Sequence, residues 1–368
     1  MKRSIVFLLP NSANRPVGGI KVVLEYANRF VEDGFGVELV YAAYNKWYKW
    51  GISHYLYYIS LFIIAKITKN YLPKWFDVDE RIHQRLVWSL DKYNYPCEAK
   101  IIATAIDTVY YLNRYNIKND NKYYFIQDYE NWFVTDKFVK ETYHYQMHKI
   151  VISNWLKKIV EDCGEKANLV LNGFDFRFFH LLKPISERRN KEVLCLYHTD
   201  KRKGLDVAFK AFEIVKRKYS QLHVSMFGTS REPEGLPTWY SYYQEPNKDI
   251  FNYIYNNAAI FVGSSNIEGW GLTVGEAMQC GCAVACTNNL GYLEMAKNGD
   301  TALVSPVGNA EALAENILKL IEDKELRIKI ATNGNQFIKT LDIEKSYKKF
   351  KNILAVDSDG CFSDYCDV

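Results

Sequence analysis

Residues Ala258 to Glu294 read AAIFVGSSNIEGWGLTVGEAMQCGCAVACTNNLGYLE, and the fold turns on how this stretch is parsed. Ala259 to Val262 is a short apolar run of the kind that forms a strand buried on both faces. Gly263 to Gly271 is rich in turn residues, and a helix is expected from Thr273. A strand end is thus joined by a loop to a helix start, and seven residues separate the carboxylates Glu268 and Glu276 on either side of that junction. Gly269, Gly271 and Gly275 lie around them, and glycine lets a backbone approach a ligand closely. The first amides of a helix have no partner within it, so Gly271, Leu272 and Thr273 offer N–H groups to a phosphate. Ionised carboxylates only accept hydrogen bonds, which suits the dense hydroxyl donors of a sugar. Phosphate donors beside polyol acceptors point to a nucleotide-sugar site. Two other readings compete. GWGLTVG is one residue from the G-x-G-x-x-G dinucleotide fingerprint, but Ser264 to Glu268 separate the strand from the first glycine and the last glycine comes one residue late. A solvated loop is the plainer alternative, since most surface Glu simply face water.

Outward from this stretch, apolar strand-like runs alternate with helix-period runs along the whole chain, the pattern of α/β domains with parallel sheets. At 368 residues, with 48% hydrophobic and 24% charged residues, the chain is long enough for two globular domains. A net charge of +4 does not argue for a nucleic-acid partner. The 28 Tyr, 20 Phe and 8 Trp suit sugar recognition, although composition alone explains them as well. Met1 to Pro10 is too short for an export signal and reads as a strand, so a cytoplasmic protein with reduced thiols is expected. Cys280, Cys282 and Cys286 lack a fourth ligand at metal spacing and read as core residues.

In the first half, strands are expected at Ser4–Leu9, Val37–Tyr44, Lys100–Thr104, Tyr123–Ile126, Lys149–Ser153 and Asn168–Leu171. Helices are expected at Gly19–Glu32 and Glu80–Tyr93, and a loop at Ala105–Val109. Gly18 and Gly19 stand at the mouth of the first helix, where amides face outward. Ile52 to Ile67 is almost continuously apolar and is followed by Lys69 and Lys74, yet it falls short of the ~20 residues a membrane span needs. It reads as an interfacial helix touching a membrane from Ile52 to Lys74, or as a helix buried between domains. FIQDYENWF sets Asp128 and Glu130 among aromatics at a strand end, as a sugar pocket would, or as acids at a helix N-terminus would. In the second half, strands are expected at Glu192–Tyr197, His223–Phe227, Ile260–Val262, Ala283–Cys286 and Ala302–Ser305. Helices are expected at Leu205–Lys218, Asp249–Asn257, Thr273–Gln279, Ala310–Glu322, Lys324–Phe337 and Leu341–Leu354, with a loose tail over 356–368. The loop HTDKRKG, His198 to Gly204, puts three cations where a helix N-terminus already favours an anion.

The run EGWGLTVGEAM, followed by QCGCAVACTNNLGYLE and GDTALVSP, resembles the E-x7-E signature of the large retaining glycosyltransferase family with the GT-B fold. The resemblance covers most of residues 190 to 340. It implies two Rossmann-like domains facing each other across a cleft: 1–173 on the acceptor side and 174–340 on the donor side, with a helix at about 341–355 packing back on the first. NGFD at 172–175 resembles the crossover between them. It further implies that Glu276 holds the ribose, Glu268 the donor sugar, and Gly271, Leu272 and Thr273 the phosphates. Lys203 matches the lysine that family members place on the diphosphate. His198 stands where their arginine would be, so His198 or Arg202 is left to supply the second contact. Gly18 and Gly19 match the glycine pair facing the donor and the reacting centre. The usual first-domain histidine is missing, and Thr104, Asp107 or Asp128 are its candidate substitutes. IIATAIDTVYYL and FIQDYENWF resemble bacterial rhamnosyltransferases of surface polysaccharide, which implies dTDP-rhamnose as donor. The resemblance implies a nucleoside-diphosphate-sugar donor, a saccharide or lipid-linked acceptor, and no metal or other cofactor. Two alternatives share the fold, a nucleotide-sugar epimerase and a non-catalytic binding subunit.

Overall fold

A computed structural model describes residues 4–10, 13–43, 52–96 and 98–354. The tail expected over 356–368, and Tyr44, Cys97, Cys361 and Cys366, lie outside them. The chain divides into two compact units, one of residues up to Leu171 together with those from Tyr347 onward, the other Asn172–Ser346.

The first unit is built on a seven-stranded sheet of β1 (Ser4–Leu9), β2 (Gly36–Ala42), β3 (His83–Val87), β4 (Lys100–Ala103), β5 (Lys122–Ile126), β6 (His148–Val151) and β7 (Ala167–Leu169), in the order β3-β2-β1-β4-β5-β6-β7. Every neighbouring pair is parallel. β1 and β5 are apolar almost throughout because helices cover both faces of such a sheet. Its helices are α1 (Gly18–Glu32), α2 (Ile52–Thr68), α3 (Ile106–Leu112), α4 (Asp136–Tyr143) and α5 (Asn154–Asp162). An aromatic core joins Phe7, Tyr26, Phe30 and Phe125 to Tyr347 and Phe350 of the C-terminal helix. Tyr347 and Lys351 both reach the Asp33 carboxylate, at 2.6 and 2.7 Å, which fastens that helix to the end of α1.

The second unit has a six-stranded parallel sheet of β8 (Glu192–Leu196), β9 (His223–Gly228), β10 (Tyr240–Gln244), β11 (Ile260–Gly263), β12 (Ala283–Thr287) and β13 (Ala302–Ser305), ordered β10-β9-β8-β11-β12-β13. Helices α6 (Leu205–Lys218), α7 (Lys248–Asn257), α8 (Leu272–Gln279), α9 (Ala310–Glu322) and α10 (Lys324–Ile338) flank it, and α11 (Ile343–Ile353) carries the chain out of this unit. Val193, Phe212, Val224, Ile260, Leu313 and Ile317 form the centre of its core. Both sheets reverse their winding direction between the first and fourth strands of the unit, β1/β4 and β8/β11, and ligands of open α/β sheets bind beyond the strand ends at such points.

Three expectations for the first unit need correction. Glu80–Tyr93 is not a helix: His83–Val87 is an edge strand, and Glu38 of β2 gathers His83, Arg85 and Tyr93 around its carboxylate at 3.1, 3.0 and 2.5 Å. His83 stands directly opposite Glu38 in the ladder and Arg85 pairs with the same carboxylate, so cross-strand contacts outweigh helical periodicity here. Ala105–Val109 is not a loop, because α3 begins at Ile106. Thr108 reaches back to accept the amides of Thr104 and Ala105, and Glu130 accepts that of Ile106, so donors at the start of this short helix are satisfied. Ile52–Ile67 is helical as expected, but it is not buried: Leu56, Ile63, Ile64 and Ile67 are at least half exposed. In the second unit, the edge strand Tyr240–Gln244 was not anticipated, since YSYYQ has none of the continuous apolar character of the inner strands.

Candidate functional site

At the β8/β11 switch point two loops leave adjacent strand ends, 197–204 and 264–271. Their meeting depends on Gly204, which adopts a left-handed backbone (φ 58°) where a Cβ would fall 2.1 Å from the Ser264 carbonyl. Around it Asn266 N–H donates to the Arg202 carbonyl (2.7 Å) and Ser264 Oγ donates to that of Lys203 (2.9 Å). The consequence is a contact between side chains 65 residues apart: Lys203 Nζ lies 2.8 Å from Glu268 Oε1. Ser265 donates to the same oxygen at 2.7 Å, and Tyr292 donates to Ser265 Oγ at 3.0 Å. The partly buried pair is therefore held in a chain of hydrogen bonds rather than left to two flexible side chains.

Gly271 caps α8 with φ 100°, and a Cβ there would sit 2.4 Å from the Tyr292 ring. At Gly275 it would collide with Phe174, at 2.0 Å. At both positions the missing Cβ makes room for an aromatic ring of the same unit, Tyr292 or Phe174. Glu276, one turn into α8, is 8% exposed and accepts from Tyr255 Oη at 3.1 Å. Leu272 and Thr273, at the N-terminus of the same helix, complete the predicted group on this side.

His198 Nδ1 accepts the Asp200 amide at 3.0 Å, so the ring proton of the neutral imidazole resides on Nε2, which is a donor. Burial, then the Lys203 ammonium, lower its pKa from the ordinary 6.5. Arg202 is otherwise engaged: it forks onto Asp200 at 2.9 and 2.6 Å. Of the two candidates for a second contact beside Lys203, His198 is the one whose outer nitrogen has no hydrogen-bond partner among the described residues, and Arg202 is tied to its own loop.

A residue that sequence reasoning missed positions this end of the unit. Arg188, 4% exposed, donates to the carbonyls of Tyr255 and Ala258 where α7 ends (3.2 and 2.9 Å), to that of Lys183 (3.1 Å) and to that of Cys280 where α8 ends. Two helix C-termini thus point their negative ends at one guanidinium. Nothing in the local pattern RR at 188–189 distinguishes it from a solvated pair. The thiols of Cys280, Cys282 and Cys286 are buried, and burial pushes Cys282 up to about 11 and Cys286 to about 12. A depression of about 500 Å³ in the same unit, lined by His180, Lys183, Asp249 and Asn252 among others, includes none of the predicted site residues.

In the first unit the predicted residues gather at the β1/β4 switch point. Gly18 and Gly19 are the first two residues of α1, one residue earlier than expected, and Gly19 lies against the Gln127 side chain. Thr104 Oγ1 donates to the Leu8 carbonyl (2.8 Å), and Asp128 accepts its neighbour's amide, from Tyr129 (2.8 Å). Glu130 takes the role of an acid at a helix N-terminus, but of α3, 24 residues before it. Burial, with Asp107 and Asp128 nearby, pushes its carboxyl up to about 8.

Residues 182–337 match the family model of Glycosyl transferases group 1. The capsular polysaccharide biosynthesis glycosyltransferase CapM of Staphylococcus aureus is 29% identical over 206 residues, 51% of this chain and 53% of CapM, so the match spans about half the length of that curated relative. Among solved structures, sucrose-phosphate synthase of Thermosynechococcus elongatus superposes with a TM-score of 0.72 at 14% identity, over 96% of this chain and 98% of its own. HepE of Anabaena, solved with UDP and glucose, gives 0.68 at 15% identity, over 96% and 99%. Such low identities establish fold alone. The chain accordingly consists of two parallel-sheet Rossmann-like units of the GT-B fold, the second of which matches the Glycosyl transferases group 1 family over residues 182–337.

Proposed function

We propose that this chain is a retaining glycosyltransferase that moves a sugar from a nucleoside-diphosphate sugar to a saccharide or lipid-linked saccharide in surface-polysaccharide assembly. The observation that carries this reading is the Lys203–Glu268 pair at the β8/β11 switch point, with Glu276 on the helix α8 that follows the same loop. CapM's role in capsular polysaccharide synthesis and the UDP and glucose held by HepE support the class of acceptor and donor.

In this reading Glu276 accepts from the ribose hydroxyls and Glu268 from the sugar's. Lys203, His198 Nε2 and the amides of Gly271, Leu272 and Thr273 face the diphosphate, the resemblance gives Gly18 and Gly19 to the donor and the reacting centre, and Asp128 is the proposed substitute for the first-domain histidine. As the anomeric C–O bond breaks, its electron pair passes to the diphosphate, whose growing charge Lys203 and the helix end offset. The acceptor oxygen bonds to the anomeric carbon on the face the diphosphate leaves, and a phosphate oxygen takes the acceptor proton. Neither a protein nucleophile nor a metal is called for in this scheme.

The test is ligand-induced thermal stabilisation with UDP-, GDP- and dTDP-sugars, dTDP-rhamnose included because of the two first-unit segments. Stabilisation by at least one of them, lost in Glu276→Ala, is expected; equal stabilisation of that variant sinks the assignment. Retention is checked by the anomeric configuration of the product, and metal independence by activity in EDTA.

A further inference from the structure

We propose that α2 is a docking surface for an anionic bilayer, lying in the headgroup region without crossing it. The observations are independent of the proposed glycosyl transfer. No helix among the described residues is long and apolar enough to cross a membrane. Yet the exposed side of α2 is its apolar side, the inverse of a helix on a water-soluble domain. Tyr57, Leu56, Ile63, Ile64 and Ile67 are 57, 61, 50, 53 and 77% exposed. With Leu61 they fall within an arc of about 160° at 3.6 residues per turn, shared with Ser60 and Thr68, whose hydroxyls donate to the helix's own carbonyls of Tyr57 and Ile64. The opposite side is anchored: Tyr55 and Phe62 pack edge-on against Trp88 of the sheet edge, with ring centroids 5.4 and 5.6 Å away. The fold therefore fixes the helix with its apolar arc outward, and a contiguous apolar patch of this kind marks a contact site.

Charge chooses the occupant. Between Glu38 and Asp77 the sequence contains no Asp or Glu, and it contains Lys46, Lys49, Lys66, Lys69 and Lys74. Lys66, Lys69 and Lys74 are exposed at the C-terminal end of the helix. Aliphatic and tyrosine side chains framed by lysines, with no acid among them, match acyl chains beneath anionic headgroups. A protein partner covering this face would be met by uncompensated lysines at its rim.

The test is co-sedimentation of the full chain with vesicles of phosphatidylcholine alone or with 30% phosphatidylglycerol. The wild type is expected to pellet with the anionic vesicles and to be released by high salt. Leu56→Asp/Ile67→Asp should lower partitioning at least tenfold with an unchanged melting temperature, and Lys66→Glu/Lys74→Glu should abolish the preference for anionic lipid. Phe62 is unsuitable for this purpose because it holds the helix to Trp88. Equal pelleting of wild type and the Leu56/Ile67 variant, or no pelleting of either, overturns the proposal. So does a dimer in analytical ultracentrifugation that Leu56→Asp dissociates, since a second copy would then cover the arc.

Discussion

Replacing Gly271 by alanine tests how the loop before α8 is held. Two costs are separable in the structure. A residue with a Cβ at φ 100°, ψ 55° is strained by roughly 1–2 kcal/mol. The new methyl would also sit 2.4 Å from the Tyr292 ring, which is 2% exposed and tied through Ser265 to Glu268, so the ring must shift at an overpacking cost of about 1–3 kcal/mol. Urea unfolding should therefore show Gly271→Ala destabilised by about 2–5 kcal/mol in the wild type. In a Tyr292→Ala background the clash is absent and only backbone strain remains, so the same substitution should cost about 1–2 kcal/mol. An identical cost in both backgrounds, or one below about 1 kcal/mol in the wild type, would refute the claim that this glycine makes room for Tyr292.

Other substitutions probe separate groups. Arg188→Met strips the carbonyls at the ends of α7 and α8 of a shared donor and should cost about 3 kcal/mol or more in urea unfolding, against about 0.5 kcal/mol for its exposed neighbour in Arg189→Met. Glu130 has a raised carboxyl pKa, so the folded chain holds a proton between pH 4.5 and about 8 that the unfolded chain releases. Its contribution is full below 4.5 and is lost as pH rises through 8, and Glu130→Gln should raise the melting temperature relative to wild type at pH 9 but not at pH 4. His198 has a lowered pKa, so its contribution is present above 6.5 and is lost as pH falls through the folded value. Nitrogen-detected NMR should find the Nε2–H tautomer at pH 7 and a pKa below 6.5; an Nδ1–H tautomer contradicts the Asp200 contact.

Most of the second unit was legible because its inner strands are continuous apolar runs, as in β11 and β12, and its helices carry clear periodicity, as in α9. The first unit was harder for local reasons. α3 is only seven residues long and depends on Glu130, distant in sequence, while His83–Val87 becomes a strand through Glu38 on another element. Both carboxylates of the proposed site stand out in the sequence by their spacing. That Lys203 and Glu268 touch was not, because it follows from the close approach of Gly204 to Ser264, which spacing does not encode. Likewise Gly271 and Gly275 carry the glycine signal of a ligand loop, although the space they leave is filled by aromatic side chains.

Calorimetric titration with UDP tests most directly whether Lys203 and the α8 N-terminus hold a nucleoside diphosphate. Loss of one charge-assisted contact in Lys203→Met corresponds to roughly 2 kcal/mol, so Kd should rise about 30-fold. Glu268→Gln, which leaves the ammonium in place, should bind UDP no more than threefold more weakly than wild type, because that carboxylate is assigned to the sugar. Equal affinity of wild type and Lys203→Met, or no UDP, GDP or dTDP binding to the wild type, would contradict the account.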